Sequence, residues 1–297
     1  MENLNEKMLN NIFQLIINKY INKKNKFFYY FYFAFFKNLI KSKLIISFKN
    51  YKFYASTQKK DLSRWMVKNL SQWDKQNIQK IFKLIKKYKS TFVDCGCNFG
   101  AYSIPIAKKF KKDIIYSIDA SDIAIEDLKK NIELNKIKNI KYFNLGIGAK
   151  NTTKYFDDDI NKYNNSGSYR FVKNKTKKKI KLFKLDYLLE KKLIKLKKNV
   201  IIKMDLEGYD FLALKGMKKI FKKFNVIIFF EFSKILIKNS KNFHLEFINF
   251  IKQNKLNLYD LHFNRKKAKE LVYLLKKIDN NNETIGDFII SNWKFKI

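Results

Sequence analysis

Proline is almost missing from this chain: Pro105 stands alone in 297 residues. No motif built on paired prolines or on a Pro-Cys dipeptide can therefore exist in it. Glycine is scarce too, with 8 residues, and nowhere do three of them fall at the G-x-G-x-x-G spacing of a dinucleotide fingerprint. Two cysteines, Cys95 and Cys97, and two histidines, His244 and His262, fall short of the ligand set and spacing that a zinc site needs. The cysteines read as small, reduced packing residues. The longest apolar block, Phe27 to Phe36 between Lys26 and Lys37, covers about half of the ~20 residues of a membrane-spanning helix. The N-terminus lacks the basic start, apolar core and small-residue cleavage site of a secretory signal, so an intracellular, cytoplasmic location is expected.

Arginine is the third scarcity and it qualifies the charge. The formal net charge is +38, a value that ordinarily suggests a polyanionic partner because Lys and Arg neutralise phosphates. Arginine, however, occurs only at 64, 170 and 265, whereas phosphate and base recognition favour its rigid fork. The lysines are spread along the chain among many Asn, Ile, Phe and Tyr, a profile of A/T-rich coding. No specific nucleic-acid partner is expected. With 46% hydrophobic residues the chain has ample material for a core.

What is present is organised around Thr91-Phe-Val-Asp-Cys-Gly-Cys-Asn-Phe-Gly100. A short strand-forming run ends in Asp94 and enters a turn with Gly96 and Gly100, where positive φ and close ligand approach are expected, and Asn98 between them tolerates left-handed φ. A helix from Tyr102 to Lys109 and a second apolar strand, Asp113 to Asp119, follow. In doubly wound sheets an acid about 20 residues beyond the loop binds ribose hydroxyls, and Asp119 has that position. A phosphate cradle is poorly supported, because the third glycine is missing.

Elsewhere, Lys43 to Ala55 alternates as a hairpin turning at Lys49-Asn50, and Ile78 to Tyr88 has amphipathic helical spacing. Ser121 is a candidate cap for a helix through Leu134, and Lys141 to Leu145 reads as a strand ending at Gly146-Ile-Gly148. Residues 149–180, polar and rich in Asn and Lys, are expected to form a long variable loop with short strands, a candidate substrate lid. Val200 to Asp205 is a buried strand that leads into a turn and a helix reaching Phe224. Val226 to Glu231, a helix over Phe243 to Ile251, Leu256 to Leu261 and Asp287 to Ser291 complete the pattern. Four strands thus end at or beside an acid: Asp94, Asp119, Asp205 and Glu231. Ligands bind beyond the carboxyl ends of parallel strands, so these acids are expected to converge on one edge. The fold class is α/β, a Rossmann-like, doubly wound, mostly parallel sheet. An aromatic-rich helical extension over 1–42 is expected to precede a domain over 43–297 with its core at 91–291. The extension is expected to pack on the domain or on a second copy, with peripheral contact at a bilayer interface as the alternative.

The sequence resembles the class I S-adenosylmethionine-dependent methyltransferases, and within them the FkbM family. The resemblance rests on Val93-Asp-Cys-Gly-Cys-Asn-Phe-Gly100, similar to D-x-G-x-N-x-G, on Asn131-Ile-Glu-Leu-Asn135 and on Leu185-Asp186. Most specific is Ile202-Lys-Met-Asp-Leu-Glu-Gly-Tyr-Asp210 with Leu214-Lys-Gly216, similar to K-x-D-x-E-G. It covers about Leu44 to Ile290. The chain departs from the family in having Asp119-Ala120 where Glu-Pro is usual, and Asp210 where Glu is usual. The resemblance implies S-adenosylmethionine as the donor. Asp94, Gly96, Asn98 and Gly100 would line its methionine part, and Asp119 would bind its ribose. It also implies O-methylation of a sugar, glycolipid or secondary-metabolite hydroxyl, with Asp205, Glu207 and Glu231 at the acceptor side and one of them as general base. No metal is indicated. The amino-group and cytosine-C5 methyltransferase classes require the proline motifs already excluded. A ribose-directed RNA methyltransferase and a non-catalytic membrane-surface protein on the same fold are the alternatives.

Overall fold

The computed structural model describes residues 44–48, 51–55, 74–158, 170–172, 178–233, 242–270 and 284–295. The expected N-terminal extension over 1–42 and the tip of the 149–180 segment lie outside them. The first elements are a hairpin, β1 (Leu44–Phe48) and β2 (Tyr51–Ala55), paired antiparallel as the alternation predicts. Helix α1 (Lys75–Tyr88) follows, burying Ile78, Ile81, Leu84 and Ile85 on one stripe. This i, i+3, i+7 spacing is why those residues form a helix that lies on the sheet.

The main sheet is built from β3 (Thr91–Cys95), β4 (Ile115–Asp119), β5 (Ile140–Asn144), β10 (Asn199–Met204), β11 (Asn225–Ser233), β12 (Asn257–Tyr259), β13 (Arg265–Lys266) and β14 (Thr284–Ser291). Its order is β13-β12-β14-β11-β10-β3-β4-β5. From β11 through β10, β3 and β4 to β5 every neighbour is parallel. β14 enters antiparallel between β11 and β12. The crossovers are carried by α2 (Ser103–Lys109) and α3 (Asp122–Leu134) on the β5 side. On the other side they are carried by α4 (Leu185–Glu190), α5 (Asp210–Lys215), α6 (Lys218–Lys223) and α7 (Phe243–Gln253). Ser121 caps α3 as expected, its hydroxyl accepting the Ala124 amide at 3.3 Å.

Alternation sorts the strands into two layers. Val93, Cys95, Ile118, Ile202, Met204, Ile228, Phe230 and Ile290 face α4 to α7 in the larger core. Phe92, Ile115, Ile201, Ile227, Phe229 and Ile289 face α1 and α2. Leu84 and Phe92 are fully buried in this second layer, and truncating either to alanine would cost about 2–5 kcal/mol.

One expectation is extended and one needs correction. The short strands expected within residues 149–180 are present, and with the flanking residues they form a second sheet of β6 (Gly146–Ile147), β7 (Thr152–Asp157), β8 (Arg170–Val172) and β9 (Lys178–Phe183) in the order β6-β9-β7-β8. Ile147, Phe156, Ile180 and Leu182 are its buried apolar residues, whereas the first half of β7, Thr152 to Lys154, is exposed on both faces. The helix expected to run to Phe224 is two helices, α5 and α6, broken at Gly216 and Met217. A Cβ on Gly216 would lie 2.3 Å from the Gly148 carbonyl oxygen, so the break brings the backbone against the second sheet's entry. Asp186 then caps the new helix, accepting the amides of Lys219 and Ile220 at 2.8 and 2.9 Å.

Candidate active site

The loop after β3 turns at Gly96, Asn98 and Gly100, with φ of 82°, 47° and 93°. The sequence requires left-handed backbone at these three positions, and the structure has it. The two glycines also have a packing reason, since a Cβ at Gly96 would stand 1.8 Å from the Asp205 carbonyl oxygen and one at Gly100 2.6 Å from Leu128. The loop's amides are used internally. Gly96 and Cys97 donate to the Ile118 carbonyl at 2.8 and 3.1 Å, Gly100 to Cys97 at 2.9 Å, and Asn98 to the Asp119 carboxylate at 2.8 Å. Amides so engaged do not cradle a phosphate. Cys95 and Cys97 are buried, and burial raises both thiols well above their ordinary range, as suits packing residues.

Asp119 holds the end of β4 against this loop, accepting Asn98 with one oxygen and Ser121 (2.9 Å) with the other. A carboxylate offers about four lone-pair sites. Acceptor capacity therefore remains for a vicinal diol, and the residue fits a ribose in that respect. Burial raises its carboxyl to about 6, with the Ser121 and Asn98 amides pulling down and Asp205 adding to the rise. Asp94 lies deeper, 1% exposed, accepting the Ser103 hydroxyl at 2.6 Å while Ser103 meets Ser117 at 2.7 Å. Burial pushes it up to about 7, opposed by Ser103 and Lys203 and reinforced by Asp205 and Asp119. It forms the floor beneath the loop.

Beyond the apolar layer of the α1 face, the same alternation places a polar group at the carboxyl edge. Lys203 pairs in register with Asp94 across β10 and β3, and Glu231 with Asp287 across β11 and β14. Like charges directly opposite are unfavourable, and the structure sets one buried cation among these acids. Lys203 is 4% exposed and its Nζ reaches the Asp205 carboxylate at 3.1 Å. Burial alone would lower this lysine, but Asp205, Asp287, Asp74 and Glu231 outweigh it and hold the ammonium above the ordinary range. Burial, then Asp205 and Asp210, push Glu231 up to about 8 against the pull of Lys203. Asp287 rises to about 6, again chiefly by burial. Asp205 itself faces outward, its side chain 44% exposed.

The turn after Asp205 is held by Asp210, whose carboxylate accepts the amides of Leu206 and Gly208 at 3.1 and 3.2 Å. Glu207 and Gly208 both take positive φ, 49° and 90°. A non-glycine residue in that region carries local strain of order 1 kcal/mol, sustained by the bonds around it. Tyr209 closes the turn against the second sheet, its ring 4.7 Å from that of Phe171.

Of the eight site residues read from sequence, Asp94, Gly96, Asn98, Gly100 and Asp119 gather at the β3–β4 loop, and Asp205, Glu207 and Glu231 lie at the ends of β10 and β11. Sequence reasoning includes Lys203 only as the first residue of the K-x-D-x-E-G resemblance and gives it no role, and it does not reach Asp287 and Asp74. A lysine inside the buried run Val200 to Met204 is the available signal for the role of Lys203. No local signal marks Asp287, whose place depends on β14 pairing.

A parallel, doubly crossed sheet with a glycine loop after one strand, a diol-competent acid after the next and carboxylates at the following strand ends defines a Rossmann-like methyltransferase architecture. The chain matches the model of the methyltransferase FkbM domain over residues 94–259, and it belongs to that family of S-adenosylmethionine-dependent methyltransferases. No curated protein matches the sequence. Among solved structures, similarity extends to M. jannaschii TYW2 in complex with AdoMet, at 15% identity over 84% of each chain with a TM-score of 0.38. It also extends to Pyrococcus abyssi Trm5b, at 13% identity over 84% of this chain and 55% of that one, TM-score 0.40. An rRNA methylase from Streptococcus thermophilus is similar at 13% over 68% and 84%, TM-score 0.31. The family assignment rests on the domain match.

Proposed function

We propose that this methyltransferase transfers a methyl group to a hydroxyl oxygen of a sugar, glycolipid or secondary metabolite. The observation that carries the reading is the Asp205 carboxylate, half exposed at the carboxyl edge of the sheet and ion-paired to a buried lysine. When bound, S-adenosylmethionine supplies a methyl group on a sulfonium, and a carboxylate-lined edge suits that positive charge. Asp119 would take the ribose hydroxyls on its remaining lone-pair sites. Asp94 and the turn at Gly96, Asn98 and Gly100 would back the methionine portion.

The acceptor hydroxyl is a poor nucleophile near neutral pH, and a positioned base contributes about 10²–10⁴-fold. Alignment of oxygen and methyl carbon supplies the rest. Asp205 is the first candidate for that base, because it reaches solvent and is held as an ion pair. Glu231, pushed to about 8, is mostly protonated at pH 7 and becomes a base only in alkaline solution. Glu207, on the strained turn, would orient the acceptor.

The test screens hydroxylated sugars and glycolipids with labelled donor, comparing Asp205→Asn, Glu207→Gln and Glu231→Gln. Asp205→Asn is expected to lower turnover by about 10²-fold or more while S-adenosylhomocysteine still binds, because the loss falls on the chemical step. Full turnover in all three variants would show that no acid at this edge acts as the base.

A further inference from the structure

Among the described residues, Lys203 is the one buried cation within a group of acids, and its contacts run in two directions. Toward solvent, Nζ meets the half-exposed Asp205 carboxylate at 3.1 Å. Toward the protein, the ammonium stands 5.4 Å from the centre of the Tyr102 ring, within the range of a cation–π contact. The Tyr102 hydroxyl donates to Asp74, and the Asn77 amide donates to Asp74 at 2.6 Å and to Asp287 at 3.1 Å. Asp74 and Asn77 sit at the start of α1, Tyr102 just ahead of α2 and Asp287 on β14, so three separated segments converge on the inner side of one lysine.

We propose that Lys203 is a positioning residue: it fixes the Asp205 carboxylate toward the acceptor by a direct ion pair, and is itself fixed from behind by Tyr102, Asp74 and Asn77. This rests on the reading of Asp205 as the base. A flexible lysine loses much side-chain entropy when held, and a buried charge is costly unless it is paired, so the arrangement persists only because both ends are satisfied. The groups acting on the ammonium are Asp205 at the end of its own strand, Asp210 at the start of α5, Asp94 on β3, Glu231 on β11, Asp287 on β14, and Asp74 and Tyr102 from the helical layer. Lys80 of α1 is a second cation on which Asp74 and Asp287 act.

Two measurements test the proposal. In the full-length protein carrying labelled lysine, the side-chain ammonium resonance of Lys203, assigned by its loss in Lys203→Met, is expected to persist to higher pH than those of the surface lysines. It should shift and disappear at lower pH in Asp205→Asn, and do so to a smaller extent in Tyr102→Phe. An ammonium that titrates identically in wild type and Asp205→Asn would overturn the ion pair. The second measurement is a double-mutant cycle on whichever hydroxyl acceptor the screen yields. Lys203→Met alone should lower turnover about 100-fold with S-adenosylhomocysteine affinity kept within about threefold. Added to Asp205→Asn, it should cost less than about threefold more. A further full loss in that background would mean that Lys203 does not act through Asp205. A screen without any hydroxyl acceptor would count against the O-methyl reading alone, since the resonance measurement needs no acceptor, and the loss of the resonance in Lys203→Arg assigns it if Lys203→Met does not fold.

Discussion

Asp119 shows how one side chain serves both fold and ligand. Its two oxygens each accept one backbone amide, from Asn98 and Ser121, which fixes the plane of the carboxylate and leaves its outer lone pairs pointing away from those donors. Loss of a hydrogen bond to a charged group costs about 1.5–3 kcal/mol. Asp119→Ala is therefore expected to weaken S-adenosylhomocysteine about 10- to 100-fold in a calorimetric titration, and Asp119→Asn to weaken it less. Unchanged affinity in a folded Asp119→Ala protein would place the donor away from this loop. Residues of this kind are legible in a sequence, because a charge is costly inside a strand and an apolar run that ends abruptly in an acid marks where the strand leaves the core. Asp94, Asp119 and Asp205 all stand out in this way. The position of Lys203 within the K-x-D-x-E-G resemblance is legible but its role is not: in a chain where lysine is everywhere, only the burial of its neighbours Ile201, Ile202 and Met204 marks it as an interior cation.

At the scale of elements, the motif Asn131-Ile-Glu-Leu-Asn135 has a structural purpose. The Asn131 side chain accepts the Tyr54 amide at 2.8 Å and donates to the Phe99 carbonyl at 2.9 Å. Asn135 accepts the Lys52 amide at 2.8 Å and donates to the Lys52 carbonyl at 2.6 Å. One turn of α3 thus acts as an artificial strand edge for β2, and it seats the hairpin, through Phe53 on Phe99, over the glycine loop. Replacing both asparagines by alanine removes partners from the partly buried backbone groups of Lys52 and Tyr54 and from the buried Phe99 carbonyl, at about 1 kcal/mol for each of the former and up to about 3 kcal/mol for the latter. Amide hydrogen exchange in β2 is expected to accelerate about tenfold or more, while β10 and β11 keep their protection. Equal protection in β2 would mean that the hairpin is held by its apolar contacts alone. The hairpin, the buried parallel strands and α1 to α3 can be read from periodicity because their patterns are local. The second sheet cannot, since Thr152 to Lys154 and Lys178 to Lys181 present mostly polar residues and its strands meet only across long separations. The insertion of β14 is equally hidden, because nothing in Asp287 to Ser291 says which strands it will join.

For the molecule as a whole, the acids of the sheet edge make stability depend on pH in an unusual sense. Asp94 and Asp210 at about 7, Glu231 at about 8, and Asp119 and Asp287 at about 6 all lie above the ~4 of an unfolded carboxyl. The folded state therefore binds more protons than the unfolded one between about pH 4 and pH 8. Stability from these groups is full below that window and is lost as pH rises through it. The net charge of +38 opposes this on the acid side through self-repulsion. At about 0.5 M salt, where the screening length is a few ångström, the carboxyl effect should dominate. Thermal unfolding there is expected to fall by several degrees from pH 6 to pH 8.5, and a midpoint that rises over the same interval would contradict the assignment of raised carboxyls. Among the described residues no helix is long and apolar enough to cross a membrane.

The place of β14 has a consequence for how the protein is made. The ribosome delivers β11 first, then β12 and β13, and only afterwards the strand that must lie between β11 and β12. Until then the outer edge of β11, with Val226 to Phe230 all buried in the finished sheet, is an open template for pairing with another chain. During that interval Glu231 has no Asp287 opposite it, and Asn77 has no second acceptor to bind. The acidic edge is therefore completed by the last strand to be synthesised, well after the residues of the glycine loop and the Asp119 turn.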